Sequence, residues 1–202
     1  MTELGTGASS NISPAFAFVV VVVVATVMGW IAVSWHRFVL LEEYPTGILP
    51  TFRSDRILAY ILRLLLIGVI AGIAFLPAGF VFTALGGGLI GVSIILLVVY
   101  FLFLVVCGFR IAIVLPAAAL GEPLTLKDAW GKTAGATGSI IVLLIVSVVF
   151  QFLVDILFTL LAFIPILGVL LVMFLAVLVF PMINVSILTT MYGVFVEKRE
   201  LT

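Results

Sequence analysis

Leu64–Phe109 contains no Asp, Glu, Lys or Arg, and Thr133–Val196 contains only Asp155. Charge-free stretches of this length leave few choices of fold. A bilayer core takes roughly 20 apolar residues per helix, so each stretch is long enough for two spans. In hydrocarbon every backbone N–H and C=O must be satisfied within the protein, which makes the helix the required element. Ala15–Trp35 supplies a fifth apolar run. Only 9% of the 202 residues are charged and 65% are hydrophobic. A soluble domain carries about a quarter charged residues, so the balance points to lipid.

The punctuation follows the same plan. "GGG" at Gly86–Gly88 turns one span into the next, and "IPILG" at Ile164–Gly168 does so again, with Pro165 interrupting the helical pattern. The spacing predicts spans at about 15–35, 57–85, 88–109, 138–163 and 168–195. They form a single transmembrane domain, 15–196, between a polar N-terminal tail, 1–14, and a short tail, 197–202. Met1–Pro14 has no Lys or Arg, and the apolar run after it exceeds the ~7–15 residues of a signal core, so the first run reads as an uncleaved anchor. The expected fold is an all-α polytopic transmembrane helical bundle of about five spans plus short interfacial helices. Thr125-Leu126-Lys127-Asp128 fits a capping box and predicts one of those short helices.

All nine cations fall on one side of this plan: Arg37, Arg53, Arg56 and Arg63, then Arg110, Lys127 and Lys132, then Lys198 and Arg199. Short loops rich in Lys and Arg stay cytoplasmic, so the N-terminus is expected outside and the C-terminus in the cytoplasm of a bacterial inner membrane. Trp30, Trp35, Trp130, Tyr44, Tyr60 and Tyr192 lie near the same boundary, as an aromatic belt does.

His36 is the only histidine. Catalysis or metal binding asks for partners, and if the helix continues past Leu41, Glu43 falls two turns and ~10 Å away. Trp35, His36 and Arg37, like Arg110 and Trp130, therefore read as interfacial anchors. Cys107 is alone, which excludes an intrachain disulfide and a thiolate metal site. Ser147, Gln151, Asp155 and Thr159 recur every four residues as a polar stripe on the fourth span, with Asn184 on the fifth as a neighbour and Gln151–Asn184 as the better pairing. The stripe reads either as interhelical glue, at about 0.6 kcal/mol per hydrogen bond, or as a solute or proton pathway, for which it offers few ionisable groups. Gly68 and Gly72 form a GxxxG packing face. No phosphate loop, catalytic triad, zinc box or nucleic-acid patch is present, so no cofactor is implied.

"WHRFVLLEE", "FRIAIVLPAAALGEPLTLKDAWGKTAGA" and "FPMINVSILTTMYGVFVEK", in this order, resemble a family of bacterial multi-pass proteins frequent in alphaproteobacterial inner membranes. More distantly the chain is similar to the membrane domain attached to some glycerophosphodiester phosphodiesterases. The resemblance runs from about Ala25 onward, and is most specific at Arg110, Pro116 and Ala117 with Trp130, Thr133 and Gly135. It implies a membrane bundle and carries over no catalytic residue. The expected function is therefore a non-catalytic accessory or assembly subunit of a larger membrane complex. Its partners are the lipid bilayer and other membrane subunits or a second copy through self-association. The alternative is a small transporter or channel-like protein using the stripe.

Overall fold

The computed structural model describes residues 13–45, 47–85 and 90–199; residues 1–12 of the N-terminal tail, the Gly86–Gly88 turn and the last residues of the C-terminal tail lie outside the described residues. Among the described residues the chain is helical and contains no strand, and five of its helices are long and apolar enough to cross a membrane. It is a multi-pass helical bundle.

Helix α1 (Pro14–Leu41) starts with Ser13 accepting the Phe16 N–H at 3.2 Å and with Pro14 in its first turn, where a missing N–H costs nothing. Its buried side chains, at positions 29, 32, 33, 36 and 40, form one stripe at helical spacing, confined to the second half. The first half carries an exposed valine run, with Val21 63% accessible. Such a surface suits acyl chains rather than water.

Helices α2 (Ser54–Leu85) and α3 (Ile90–Ala112) pack along each other. Pro77 interrupts the ladder inside α2, because its ring nitrogen has no proton and its ring crowds the preceding turn. One residue along from the Ile73 carbonyl that Pro77 leaves without a donor, the Tyr100 hydroxyl of α3 donates to the Ala74 carbonyl at 2.6 Å and ties the two helices together.

Pro116 ends α3 in the same way, since it cannot donate to the Ala112 carbonyl. After a turn at Ile113 the chain starts again as α4 (Val114–Leu120), with Pro116 tolerated in the first turn. Gly121 closes α4 in the left-handed conformation (φ +90°), so that the Gly121 and Glu122 N–H groups both donate to the Ala117 carbonyl at 2.9 Å. The segment belongs to the stretch expected to be a polar connection, yet α4 is the most deeply buried element described. Ile113, Ala117 and Ala119 have no accessible surface. α4 lies against α1, α2 and the last span. Val114 and Ala117 join a cluster with Leu40, Ile140 and Tyr192, while Leu115, Ala118 and Ala119 join one with Val33 and Ile57. The alanines allow this placement, because four helices can converge only around small side chains.

α5 (Leu126–Lys132) forms where the capping box predicts it, with Thr125 Oγ1 accepting the Asp128 N–H at 3.1 Å and the Asp128 carboxylate accepting from Thr125. α6 (Thr137–Ala162) and α7 (Leu167–Phe174) meet in a tight hairpin, where a side chain at Gly168 would collide with the Leu161 carbonyl. A π-helical turn (Leu175–Val179) joins α7 to α8 (Phe180–Phe195), completing one span from Leu167 to Phe195. Pro181, in the first turn of α8, accounts for that irregularity: its missing donor unwinds the ladder just upstream.

The buried position of α4 makes an asymmetric prediction. Ala117→Leu overpacks the convergence point and should destabilise the fold by about 1–3 kcal/mol, whereas Val142→Leu on the exposed face of α6 should leave the melting temperature in detergent unchanged.

Candidate functional site at the arginine-rich end

At one end of the bundle, arginines on helices α1, α2 and α3 and in the C-terminal tail lie against helix carbonyls. The last carbonyls of a helix have no intrahelical donor, and near an apolar interior they need one. Arg37 Nη1 donates to Ala119 O at the end of α4 (3.2 Å), and Arg199 Nη2 to Leu40 O at the end of α1 (2.6 Å). Arg110 Nη2 reaches Trp130 O in α5 (2.9 Å) while its Nε donates to Thr133 Oγ1 (3.1 Å). Its guanidinium also lies 3.7 Å over the Trp130 ring, a cation–π contact. Arg37, Arg199 and Arg110 therefore each bring both a donor and a positive charge to a partially negative helix end, whereas Arg63 Nη1 donates to Val114 O in the first turn of α4 (3.2 Å).

The most polar constellation surrounds Glu43. α1 ends at Leu41, Glu42 turns in the left-handed region (φ 55°), and the chain doubles back. Glu43 therefore returns onto the last turn of α1, instead of lying two turns further along a continuing helix. Arg37 Nε donates to its Oε2 at 2.8 Å and Arg53 Nη2 to its Oε1 at 2.6 Å. The hydrogen bond from Arg53, then the bond and charge of Arg37, hold the Glu43 carboxyl below its ordinary range. These residues border a cavity of about 340 Å³ whose wall also includes Trp35, Phe38, Pro45 and Met182.

His36 is not an interfacial anchor. It has no accessible surface, and its Nδ1 lies 2.7 Å from Thr189 Oγ1 on α8. The Thr189 hydroxyl donates its single proton to Val185 O, also at 2.7 Å, so His36 Nδ1 carries the proton of the shared bond. Tyr60 packs on the other side, ring centroids 5.8 Å apart. The reason is spacing: His36 falls on the same stripe as Gly29, Ala32, Val33 and Leu40, which the fold buries. That periodicity was the available signal, and Thr189, its partner, carried none. Tyr60 and Tyr192 are likewise core residues and not part of a surface belt.

Trp35 is half-buried, 6.0 Å from the Phe38 ring, and Arg110 with Trp130 form the contact described above. The polar stripe does not work as expected. Ser147 donates to Leu143 O (2.7 Å), Thr159 to Asp155 O (2.9 Å) and Asn184 to Phe180 O (3.0 Å), each back into its own helix. Asn184 and Asp155 are exposed, and the expected Gln151–Asn184 bond is not made. Hydroxyl and amide side chains have this local alternative four residues upstream, and here it replaces interhelical bonding. Gly68 and Gly72 are exposed with open space around them, so they do not mark packing within the chain. The close approach of α1 and α2 is at Gly29, where a Cβ would stand 3.3 Å from Ile57 and Ile61. Among the described residues no group of three or more His, Cys, Asp or Glu could hold a metal ion.

Comparison with protein-family models, with curated proteins and with solved structures found no match.

The buried pair has a measurable signature. A double-mutant cycle of His36→Leu and Thr189→Val, read by thermal unfolding in detergent, should give a coupling of roughly 0.5–1.5 kcal/mol. A coupling of zero would return His36 to a role independent of α8.

Proposed function

We propose that this chain is a non-catalytic multi-pass protein of a bacterial inner membrane, N-terminus outside and C-terminus cytoplasmic, acting as an accessory or assembly subunit of a larger membrane complex. The observation that carries this reading is an apolar groove of about 780 Å³ between α6 and the last span. Leu143, Leu178, Met182, Ile183 and Ile187 line it. Phe158 and Phe180, packed edge to face at 5.2 Å, hold the two helices together nearer the other end. Ser139, Ser186 and Thr190 supply small polar edges of the sort that let a further helix approach closely. The wall is shaped for a rod of apolar side chains. The open α1 valine run and the exposed Gly68–Gly72 face add surface available to a partner helix or to a second copy.

The charge distribution supports the orientation, with the arginines and lysines gathered on the cytoplasmic side. The resemblance to multi-pass inner-membrane proteins fits the same placement. The transporter alternative has less support, because Ser147, Thr159 and Asn184 bond within their own helices and no stripe residue lines the cavities described above.

Purification in a mild detergent tests the proposal. A stoichiometric membrane partner should co-purify with the native chain, and Ile183→Trp, which fills the groove, should release it while the protein remains folded. Quantitative recovery of the native chain alone, or a partner indifferent to Ile183→Trp, would overturn the assignment.

A further inference from the structure

The cavity beside Glu43 has a donor set that the protein itself does not use. Trp35 and Arg53 both line it, and the Trp35 indole Nε1 and the Arg53 Nε are buried yet donate to no described residue. Buried donors are nearly always paired, so two of them bordering one cavity call for an acceptor. The charge points the same way. Arg37 and Arg53 contribute two guanidiniums against the single carboxylate of Glu43, leaving one positive charge in excess. Apart from Ser34, Tyr44 and Thr51 the rest of the wall is apolar, from Ile31 and Phe38 on α1 to Met182 on α8. It lies along the last turns of a helix long and apolar enough to span a membrane, the end of a span at which interfacial aromatic and cationic side chains meet headgroups.

We propose that this cavity, which shares Trp35 and Met182 with the partner groove, binds an anionic phospholipid. Its phosphate accepts from Trp35 Nε1 and Arg53 Nε, and the start of an acyl chain lies over Ile31, Phe38 and Met182. A basic pocket between spanning helices, near the membrane surface, is the ordinary setting for such recognition. A volume of about 340 Å³ suits a headgroup with the adjoining glycerol. Free phosphate satisfies the donors but leaves the apolar wall unused. A choline headgroup brings a cation toward two guanidiniums, which disfavours it.

The test is ligand-induced thermal stabilisation of the full chain in detergent. The probes are phosphatidylglycerol, phosphatidylcholine, diacylglycerol and inorganic phosphate at matched concentrations. Phosphatidylglycerol should raise the melting temperature in a saturable way, and the other three should not. Arg53→Gln and Trp35→Phe should each raise the half-saturating concentration roughly tenfold, the equivalent of one lost hydrogen bond to a charged group. Arg53→Lys, which keeps the charge but removes Nε, should behave like Arg53→Gln. Arg110→Gln, outside the cavity, should lower the starting stability yet keep the native half-saturating concentration, which separates a binding defect from a folding defect. Equal stabilisation by phosphatidylcholine, diacylglycerol or inorganic phosphate, or native saturation by both cavity variants, would overturn the proposal.

Discussion

A helix that ends inside or against a membrane leaves carbonyls that neither lipid nor its own backbone can satisfy. In this chain the arginine guanidinium supplies the missing donors, and much of the architecture depends on that interaction. Arg37 caps α4, Arg199 caps α1 and Arg110 caps α5, each across a long sequence separation. Because the donors come from distant segments, the caps also tie the segments together. The C-terminal tail is fastened to the end of α1, and α1 to the short helix that follows α3. Lysine could bring the charge but not the fork of donors that lets Arg110 hold a carbonyl, a hydroxyl and an aromatic face together.

The bundle consequently has two unlike ends. At the arginine-rich end, α4 sits inside a closed core and His36 is bonded to Thr189. Beside this base a groove opens between the start of α6 and the end of the last span, and toward the other end the helices present broad apolar faces. A capped base with open helical faces above it is the arrangement on which the proposed accessory role rests. The lipid site proposed beside Glu43 would place a headgroup where the base meets the bilayer.

Much of this was legible in the sequence. Hydrophobic length gave the spans, and Thr125 with Asp128 marked α5 through chemistry that is local to four residues. What could not be read depends on distance or on competition. Ile113–Leu120 is too short for a span and looks like the end of the preceding one, and nothing local shows that four helices converge on its alanines. His36 reads as an anchor from its immediate neighbours because its partner lies on the last helix, although the spacing of Gly29, Val33 and Leu40 places it on a packing stripe. The Ser147–Thr159 stripe was visible as a spacing. Spacing alone does not tell whether a hydroxyl bonds to a neighbouring helix or to the carbonyl four residues before it. The arginines were visible as charges that orient the chain, but not as caps.

The central claim is that α4 is the buried, arginine-capped hub of the fold. Amide hydrogen exchange of the protein in lipid nanodiscs tests it most directly. The account predicts that the amides of Ala117–Leu120 exchange at least an order of magnitude more slowly than those of the exposed face of α5. It also predicts that Arg37→Met selectively accelerates exchange in α4 and across the following Gly121 turn. Exchange in Ala117–Leu120 as fast as in α5, or unaffected by loss of the Arg37 guanidinium, would contradict it.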